Sequence, residues 1–273
     1  VRSRAGTLIL LLVCAGGPCL AQATGAVLPA SGSAVPGQSF GVEVRVDVTA
    51  TGQELGSYGA VLTWDPAVLL YSGMTAGPFP FDTPVVNDTS VATGILGLAD
   101  ADPVGAPGDV LLVEISFLVV GFPCEASTIS LSMTSLHAAV SLDDLLPLAA
   151  IQNALVSVED HDYGLEVFDP ASTVLFWNPL PGADSYDVIR VEPAVVYQDP
   201  TTVHLGTVVC WEEDSLDATT AAGTEAANPD TDLPAPGQGF FYLVRSRFGG
   251  ANLTYGLTGG CARERIPDAT DCL

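Results

Sequence analysis

Between Ser57 and Leu70 the chain reads Ser-Tyr-Gly-Ala-Val-Leu-Thr-Trp-Asp-Pro-Ala-Val-Leu-Leu, and this run restricts the possible folds more than any other stretch. Tyr58, Ala60, Leu62 and Trp64 recur at period two, which places them on one face of a strand, with Ser57, Gly59 and Thr63 on the other. Asp65-Pro66 ends the strand, because proline has no N–H for a ladder and biases the residue before it away from helix. Ala67 to Tyr71 then reads as a second short strand.

The same periodicity continues on either side. From Phe40 to Thr49 four valines (Val42, Val44, Val46, Val48) alternate with Glu43, Arg45 and Asp47, the pattern of an antiparallel strand with one face on a core. Val91 to Ala99, Asp109 to Val120, Ser127 to Met133 and Ala154 to Val158 read as further strands, separated by turns such as Val35-Pro36-Gly37 and Ala106-Pro107-Gly108-Asp109. No segment sustains a helical period, and the sequence predicts an all-β chain of sandwich type.

Four of these segments occur in an order that resembles the cohesin domain, the receptor module of bacterial extracellular scaffolds: Pro36 to Val42, Ser57 to Leu70, Gly94 to Asp100 and Gly108 to Phe117. The resemblance runs from about Gly25 to Glu159. It implies a nine-stranded jelly-roll sandwich, related in architecture to some carbohydrate-binding modules, that binds dockerin domains through one flat sheet face. Cohesins that bind dockerins commonly carry Asn and Asp on the outward face of the strand before the Asp-Pro corner. The matching positions here are Ser57 and Gly59, and glycine offers no side-chain acceptor. Thr63 shares that face and Asp100 follows the middle strand, so the partner-binding set expected from the resemblance is Ser57, Gly59, Thr63 and Asp100.

A polar, acidic stretch at Glu159-Asp160-His161-Asp162-Tyr163-Gly164 separates this region from a second patterned one. There, Thr173 to Arg190 reads as strand, Pro-rich turn, strand, and resembles the first hairpin of fibronectin type III domains. Gly237 to Arg247 is similar to that family's sixth strand. This second resemblance, from about Leu165 to Leu273, implies that Trp177 is the core tryptophan, that Tyr242 and Val244 point inward and Arg245 and Arg247 outward, and that Tyr242 makes a tyrosine-corner hydrogen bond. Cys210 to Pro236 is Ala/Thr/Asp-rich and reads as an extended loop with one short strand at most. The expected organisation is a signal peptide at 1–23, a cohesin-like domain at 24–159 and a fibronectin type III-like domain at 160–273.

The signal peptide is read from basic Val1-Arg2-Ser3-Arg4, the apolar run Leu8 to Val13 and the small-x-small Ala21-Gln22-Ala23. Cys14 and Cys19 follow Val13 and Pro18 rather than small residues, which argues against lipidation, and no later stretch approaches about 20 uninterrupted apolar residues. Arg2 and Arg4 leave with the signal, so the remaining balance is 6 basic against 32 acidic side chains, which repels nucleic acid and anionic lipid. Cys124, Cys210, Cys261 and Cys272 form an even set suited to an oxidising compartment. Four cysteines allow three pairings; Cys210 with Cys272 is preferred, leaving Cys124 and Cys261 free or joined across the domains. No Cys-x-x-Cys or nearby His pair supplies a tetrahedral metal site.

Catalysis has little support in the sequence. His137, His161 and His204 stand in no metal-ligand spacing and beside no Gly-x-Ser-x-Gly elbow, and Asp143-Asp144 and Glu212-Glu213-Asp214 are adjacent rather than facing pairs. Asp100-Ala101-Asp102, Asp160-His161-Asp162 and Asp230-Thr231-Asp232 supply loop oxygens for calcium, but none has an EF-hand loop, and no other cofactor is implied. Trp64 and Trp177 fall on inward phases, and Trp211 beside Cys210 is expected to pack on a disulfide rather than stack on a sugar. The Asn87-Asp88-Thr89 and Asn252-Leu253-Thr254 sequons indicate surface loops. The sequence therefore predicts a secreted or cell-surface bacterial protein, not an enzyme, that binds an extracellular protein, dockerin-like or otherwise, through the exposed sheet of its first domain. The alternative is attachment to a polysaccharide by that same domain.

Overall fold

The structure is a computed structural model that describes residues 22–146, 149–168, 173–221, 223, 226–236, 238–248, 250–258, 263–269 and 271–272. Of the expected signal segment only Gln22 and Ala23 lie among them, and Ala23 is fully buried. Eleven strands precede Glu159: β1 (Thr24–Leu28), β2 (Ser31–Ala34), β3 (Ser39–Asp47), β4 (Glu54–Thr63), β5 (Leu69–Ala76), β6 (Val85–Asn87), β7 (Ile95–Pro107), β8 (Asp109–Val119), β9 (Ala126–Ala138), β10 (Ala150–Gln152) and β11 (Ala154–Val158). They form a five-stranded sheet, β10-β1-β3-β8-β5, and a six-stranded sheet, β2-β11-β9-β4-β7-β6. One contiguous core, fed by both sheets, lies between them.

The inward rows are the ones that the alternation marks. Val42, Val44, Val46 and Val48 are at most 3% exposed, and Tyr58, Ala60, Leu62 and Trp64 are buried. The Asp65-Pro66 corner closes by local bonds: the Asp65 carboxylate accepts from the Ala67 N–H (2.9 Å), and the Asp65 carbonyl accepts from Val68 (3.1 Å) and Leu69 (3.0 Å). Its own N–H donates to the buried Ser127 hydroxyl at 2.9 Å, which ties the corner to β9. The second strand accordingly begins at Leu69 rather than at Ala67.

Two other boundaries differ from expectation. Val91 to Thr93 is a 3₁₀ turn rather than the start of a strand. It ends at Gly94, whose φ of 75° and close approach to the Trp64 carbonyl leave no room for a Cβ, and strand β7 starts at Ile95. β9 runs five residues past Met133, to Ala138, because Thr134 is accommodated by a register shift against Gly59 and Ala60.

From Glu166 onward the regular elements among the described residues are ten strands and one 3₁₀ turn (Pro193–Val195): β12 (Glu166–Phe168), β13 (Val174–Phe176), β14 (Ser185–Val191), β15 (Tyr197–Gln198), β16 (Thr202–His204), β17 (Val209–Ser215), β18 (Phe241–Phe248), β19 (Ala251–Asn252), β20 (Leu257–Thr258) and β21 (Arg263–Ile266). They make the hairpin β12-β13 and two four-stranded sheets, β17-β14-β18-β19 and β15-β16-β21-β20. Trp177 is 5% exposed in a cluster with Leu175, Tyr186, Val188 and Val244. Within Cys210 to Pro236 the seven-residue β17, which begins at Val209, is the one strand among the described residues.

The expected outward orientation of Arg245 is corrected. Arg245 is 6% exposed: it donates to the fully buried Asp187 (2.9 Å), to Asp271 (2.7 Å) and to the Cys272 carbonyl (2.8 Å), and its guanidinium covers the Tyr255 ring. Arg247 also turns to Asp187 and Asp214. The charges lie inside because each faces a partner, which alternation cannot show. Tyr242 likewise donates to the Asp230 carboxylate (2.7 Å), not to a backbone carbonyl. Cys210 and Cys272 form a disulfide, with Cα atoms 5.1 Å apart, that anchors the tail beside this network. Cys124 is also disulfide-bonded, and Cys261 lies outside the described residues.

Two substitutions measure these interiors. Leu62→Ala, at a fully buried site on β4, is expected to cost about 2–5 kcal/mol in urea unfolding. Asp187→Ala, which strands Arg245 without its buried partner, is expected to cost about 3–5 kcal/mol.

Candidate functional site

The central strand β4 pairs with β7 on one side and β9 on the other, so its outward residues lie in the middle of a flat surface. Ser57, Gly59, Val61 and Thr63 stand opposite Ala101, Ala99, Gly97 and Ile95 of β7. On the other side Val61 and Thr63 stand opposite Ser132 and Ser130 of β9. Thr128 and Thr134 extend the β9 row, Leu155 lies opposite Thr128, and Val85 and Asn87 of β6 lie opposite Ala99 and Gly97. Among the described residues over this area, the outer face bears no charged side chain.

The opposite side of the sandwich contrasts with it. On the five-stranded sheet Glu43, Arg45, Asp47, Asp109 and Glu114 all point outward. Arg45 is held between Glu43 (2.8 Å) and Asp109 (3.0 Å), and the two carboxylates raise its pKa further. In a chain with 32 acidic residues, an uncharged face of this extent sets one side of one sheet apart.

The four expected contact residues do not share one role. Thr63 is exposed and Ser57 half-buried on the outer face. Gly59 is buried because β9 closes over it: a Cβ there would stand 2.6 Å from the Thr134 hydroxyl and 2.7 Å from that of Ser135. Asp100, half-buried, differs from the other three. It stands opposite Tyr58, so its side chain leaves on the inner face. One oxygen accepts from the Ala101 N–H (2.8 Å), and the other is buried without a hydrogen-bond partner. Burial first, and the Asp100 charge second, push the Tyr58 phenol well above its usual range.

The hydroxyl row Thr128, Ser130, Ser132, Thr134 joins the site only in the folded sheet. Its signal is nonetheless in the sequence, as polar residues alternating with Ile129, Leu131 and Met133.

The other candidate groups each have at least one protein partner. Asp102 accepts from the Val104 N–H, Asp162 from the Gly164 N–H, and Asp230 and Asp232 both hold Arg190, so these loop oxygens already face protein donors. Among the described residues no cluster of three His, Cys, Asp or Glu side chains is placed to hold a metal ion. Trp64 is buried against Phe117 with ring centroids 5.1 Å apart, and Trp211 donates to the Asn228 carbonyl (2.7 Å) beneath Arg190. His137 pairs across to Ser57, and His161 bonds the Asn178 carbonyl.

His204 is the histidine with a defined electrostatic setting. Its Nδ1 lies 2.8 Å from Asp268 and its Nε2 3.2 Å from Asp199, and Tyr197 stacks on its ring. The Asp268 and Asp199 hydrogen bonds raise its pKa, while backbone donors from Thr201 and Thr202, together with His204, lower that of Asp199.

No family model matches this sequence, and no curated protein matches it. Solved structures that match include the seventh type I cohesin of ScaB from Pseudobacteroides cellulosolvens, with 12% identity over 51% of this chain and 94% of that chain (TM-score 0.44). The sixth cohesin of Acetivibrio cellulolyticus scaffoldin B, solved with a Cel5 dockerin, matches with 18% identity over 50% and 99% (TM-score 0.44). A non-cellulosomal cohesin from the archaeon Archaeoglobus fulgidus matches with 17% identity over 51% and 93% (TM-score 0.41). Each of these neighbours is a cohesin domain matched to about half of the chain. No helix among the described residues is long and apolar enough to cross a membrane.

The His204 geometry gives a pH dependence of known sign. A folded pKa raised above the unfolded value of about 6.5 contributes stability that is complete below that value and lost as pH rises through the folded one. Denaturant unfolding of the parent and of His204→Asn should therefore differ most near pH 5.5 to 6 and converge at higher pH. A constant difference would place the contribution in packing alone.

Proposed function

We propose that the outer face of the six-stranded sheet is a protein-binding surface and that the chain is a non-catalytic binding or scaffolding protein. The observation behind this reading is the uncharged surface centred on Val61, bounded by hydroxyls of β9 and by the small residues of β7, on a chain of formal charge −24. A face without charge can be desolvated at low cost, and its Ser and Thr hydroxyls can still pair with a partner's polar groups. Glycine and alanine at Gly59, Gly97, Ala99 and Ala101 keep it flat enough for close approach. On this reading residues 24–159 are the recognition domain and 160–273 a fibronectin type III-like companion, both working outside a bacterial cell after removal of residues 1–23.

A dockerin, the partner with which the Acetivibrio cohesin was solved, is the first module to try, followed by capture from the secreted proteins of the source organism. Val61→Arg places a long cation at the centre of the face and is expected to weaken a captured partner by roughly 100-fold without changing the melting temperature. Thr75→Arg, on the five-stranded sheet, is expected to leave affinity unchanged. Equal retention of the parent and Val61→Arg would overturn this reading, as would retention on insoluble glycan with no protein partner.

A further inference from the structure

At the Ser57 end the uncharged face gives way to a depression of 290 Å³ whose lining includes Gly56, Ser57, Ala101, Asp102, Pro103 and Leu142. Three large apolar side chains stand exposed around it. Val140 is 84%, Leu142 74% and Val104 61% exposed; elsewhere on this sandwich Phe79 and Val85 are exposed to a similar degree, but singly rather than grouped in the chain around one depression. Leu142 also has φ 59°, a left-handed conformation that a leucine rarely adopts, so its side chain is displayed by a backbone that costs energy to hold.

Carboxylates flank the apolar centre: Asp102 is part of its lining, and Asp143 and Asp144 follow Leu142 in the chain. Asp143 takes a side-chain hydrogen bond from Gln53 and, through its carbonyl, one from Ala138. The Asp144 carboxylate accepts from the Leu146 N–H through one oxygen, and the backbone of Asp144 forms a β-bridge with that of His137. A second copy of this chain would bring the same acidic surface against this one, and an anionic membrane would be repelled in the same way. A neutral glycan has no cation to offer. What fits is a polypeptide with an aliphatic side chain flanked by basic residues.

We propose that this depression is the anchor point of the binding surface, taking one large aliphatic side chain of the partner while Asp102, Asp143 and Asp144 pair with Arg or Lys on either side of it. The inference rests on the reading of the sheet face as a protein-binding surface, and it names the chemistry of what that face accepts. It also divides the labour: the apolar anchor supplies affinity, and the acidic rim draws in a basic partner and rejects an acidic one.

The test uses the full chain, ¹⁵N-labelled, titrated in low salt with three blocked peptides: acetyl-Gly-Arg-Arg-Leu-Arg-Arg-Gly-amide, the same peptide with alanine for leucine, and the same peptide with glutamate for arginine. The leucine peptide should move the amides of Gly56, Ala101, Ala139 and Leu142 saturably. The alanine peptide should bind about tenfold or more weakly, and the glutamate peptide should leave those amides unmoved. Leu142→Asn removes the apolar side chain while suiting the left-handed backbone, so it should keep the fold and lose the preference for leucine. Equal binding of the leucine and alanine peptides, or shifts spread over the acidic surface, would overturn the anchor. Because the readout is taken at the amides of the depression, such a failure is separate from that of the sheet face, which Val61→Arg reports.

Discussion

The first sandwich depends on β4 being hydrogen-bonded on both sides. A strand in that position cannot slip by one residue without turning Tyr58, Leu62 and Trp64 to solvent, so its register is fixed by the burial of that row. Its corner at Asp65-Pro66 is fixed in turn by Ser127 on β9, and the 3₁₀ turn at Val91–Thr93 by the bond from the Trp64 N–H to the Gly94 carbonyl. The outer surface inherits this rigidity. Ser57, Val61 and Thr63 are presented by a backbone with no freedom to rearrange, and a preorganised surface of this kind loses little conformational entropy on binding.

Charge is then distributed around that scaffold in two different ways. On the five-stranded sheet Glu43, Arg45 and Asp109 compensate one another at the surface, where such pairs contribute little to stability and mainly to solubility. In the second half the charges go inward. Asp187 with Arg245, and Asp230 with Arg190, are buried or nearly so on the carboxylate side. Each also holds a tyrosine in its network, Tyr255 through Asp271 and Tyr242 through Asp230; burial first and the Asp230 bond second push the Tyr242 phenol up to about 12. The two apolar clusters there are small, so fixing the chain falls to these pairs and to the Cys210–Cys272 bridge. Buried pairs of this sort do little for net stability against a hydrophobic alternative, but losing one member is costly, which makes them effective at holding one arrangement.

This division explains how much of the fold was legible. Hydrophobic alternation located β3, β4, β8 and β11 because their inward rows are purely apolar, as Val42 to Val48 show. It misplaced Arg245, since an arginine beside a buried aspartate 58 residues away looks in sequence like any outward charge. It also missed the short strands β1, β2 and β6, which are held in place by their neighbours' ladders rather than by their own pattern. Sequence alone can favour the pairing of Cys210 with Cys272 but cannot require it, because no rule of spacing brings the tail to β17; the Arg245 contacts to Asp271 and Cys272 do that.

The candidate site shows the same limit from the other direction. Judged strand by strand, Gly59 leaves the outer face of β4 without a side-chain acceptor at that position. In the folded sheet that glycine is required, because β9 carries an extra residue opposite it and both the Thr134 and Ser135 hydroxyls close over its Cα. The polar group absent from β4 is supplied by the neighbouring strand, within about one side chain's reach of the same spot. Asp100 makes the converse point: a charge that the sequence places beside the surface is turned inward by its pairing with Tyr58. What a sheet face presents is decided across strands, by register and bulges, and those are properties of pairing that no single strand's sequence contains.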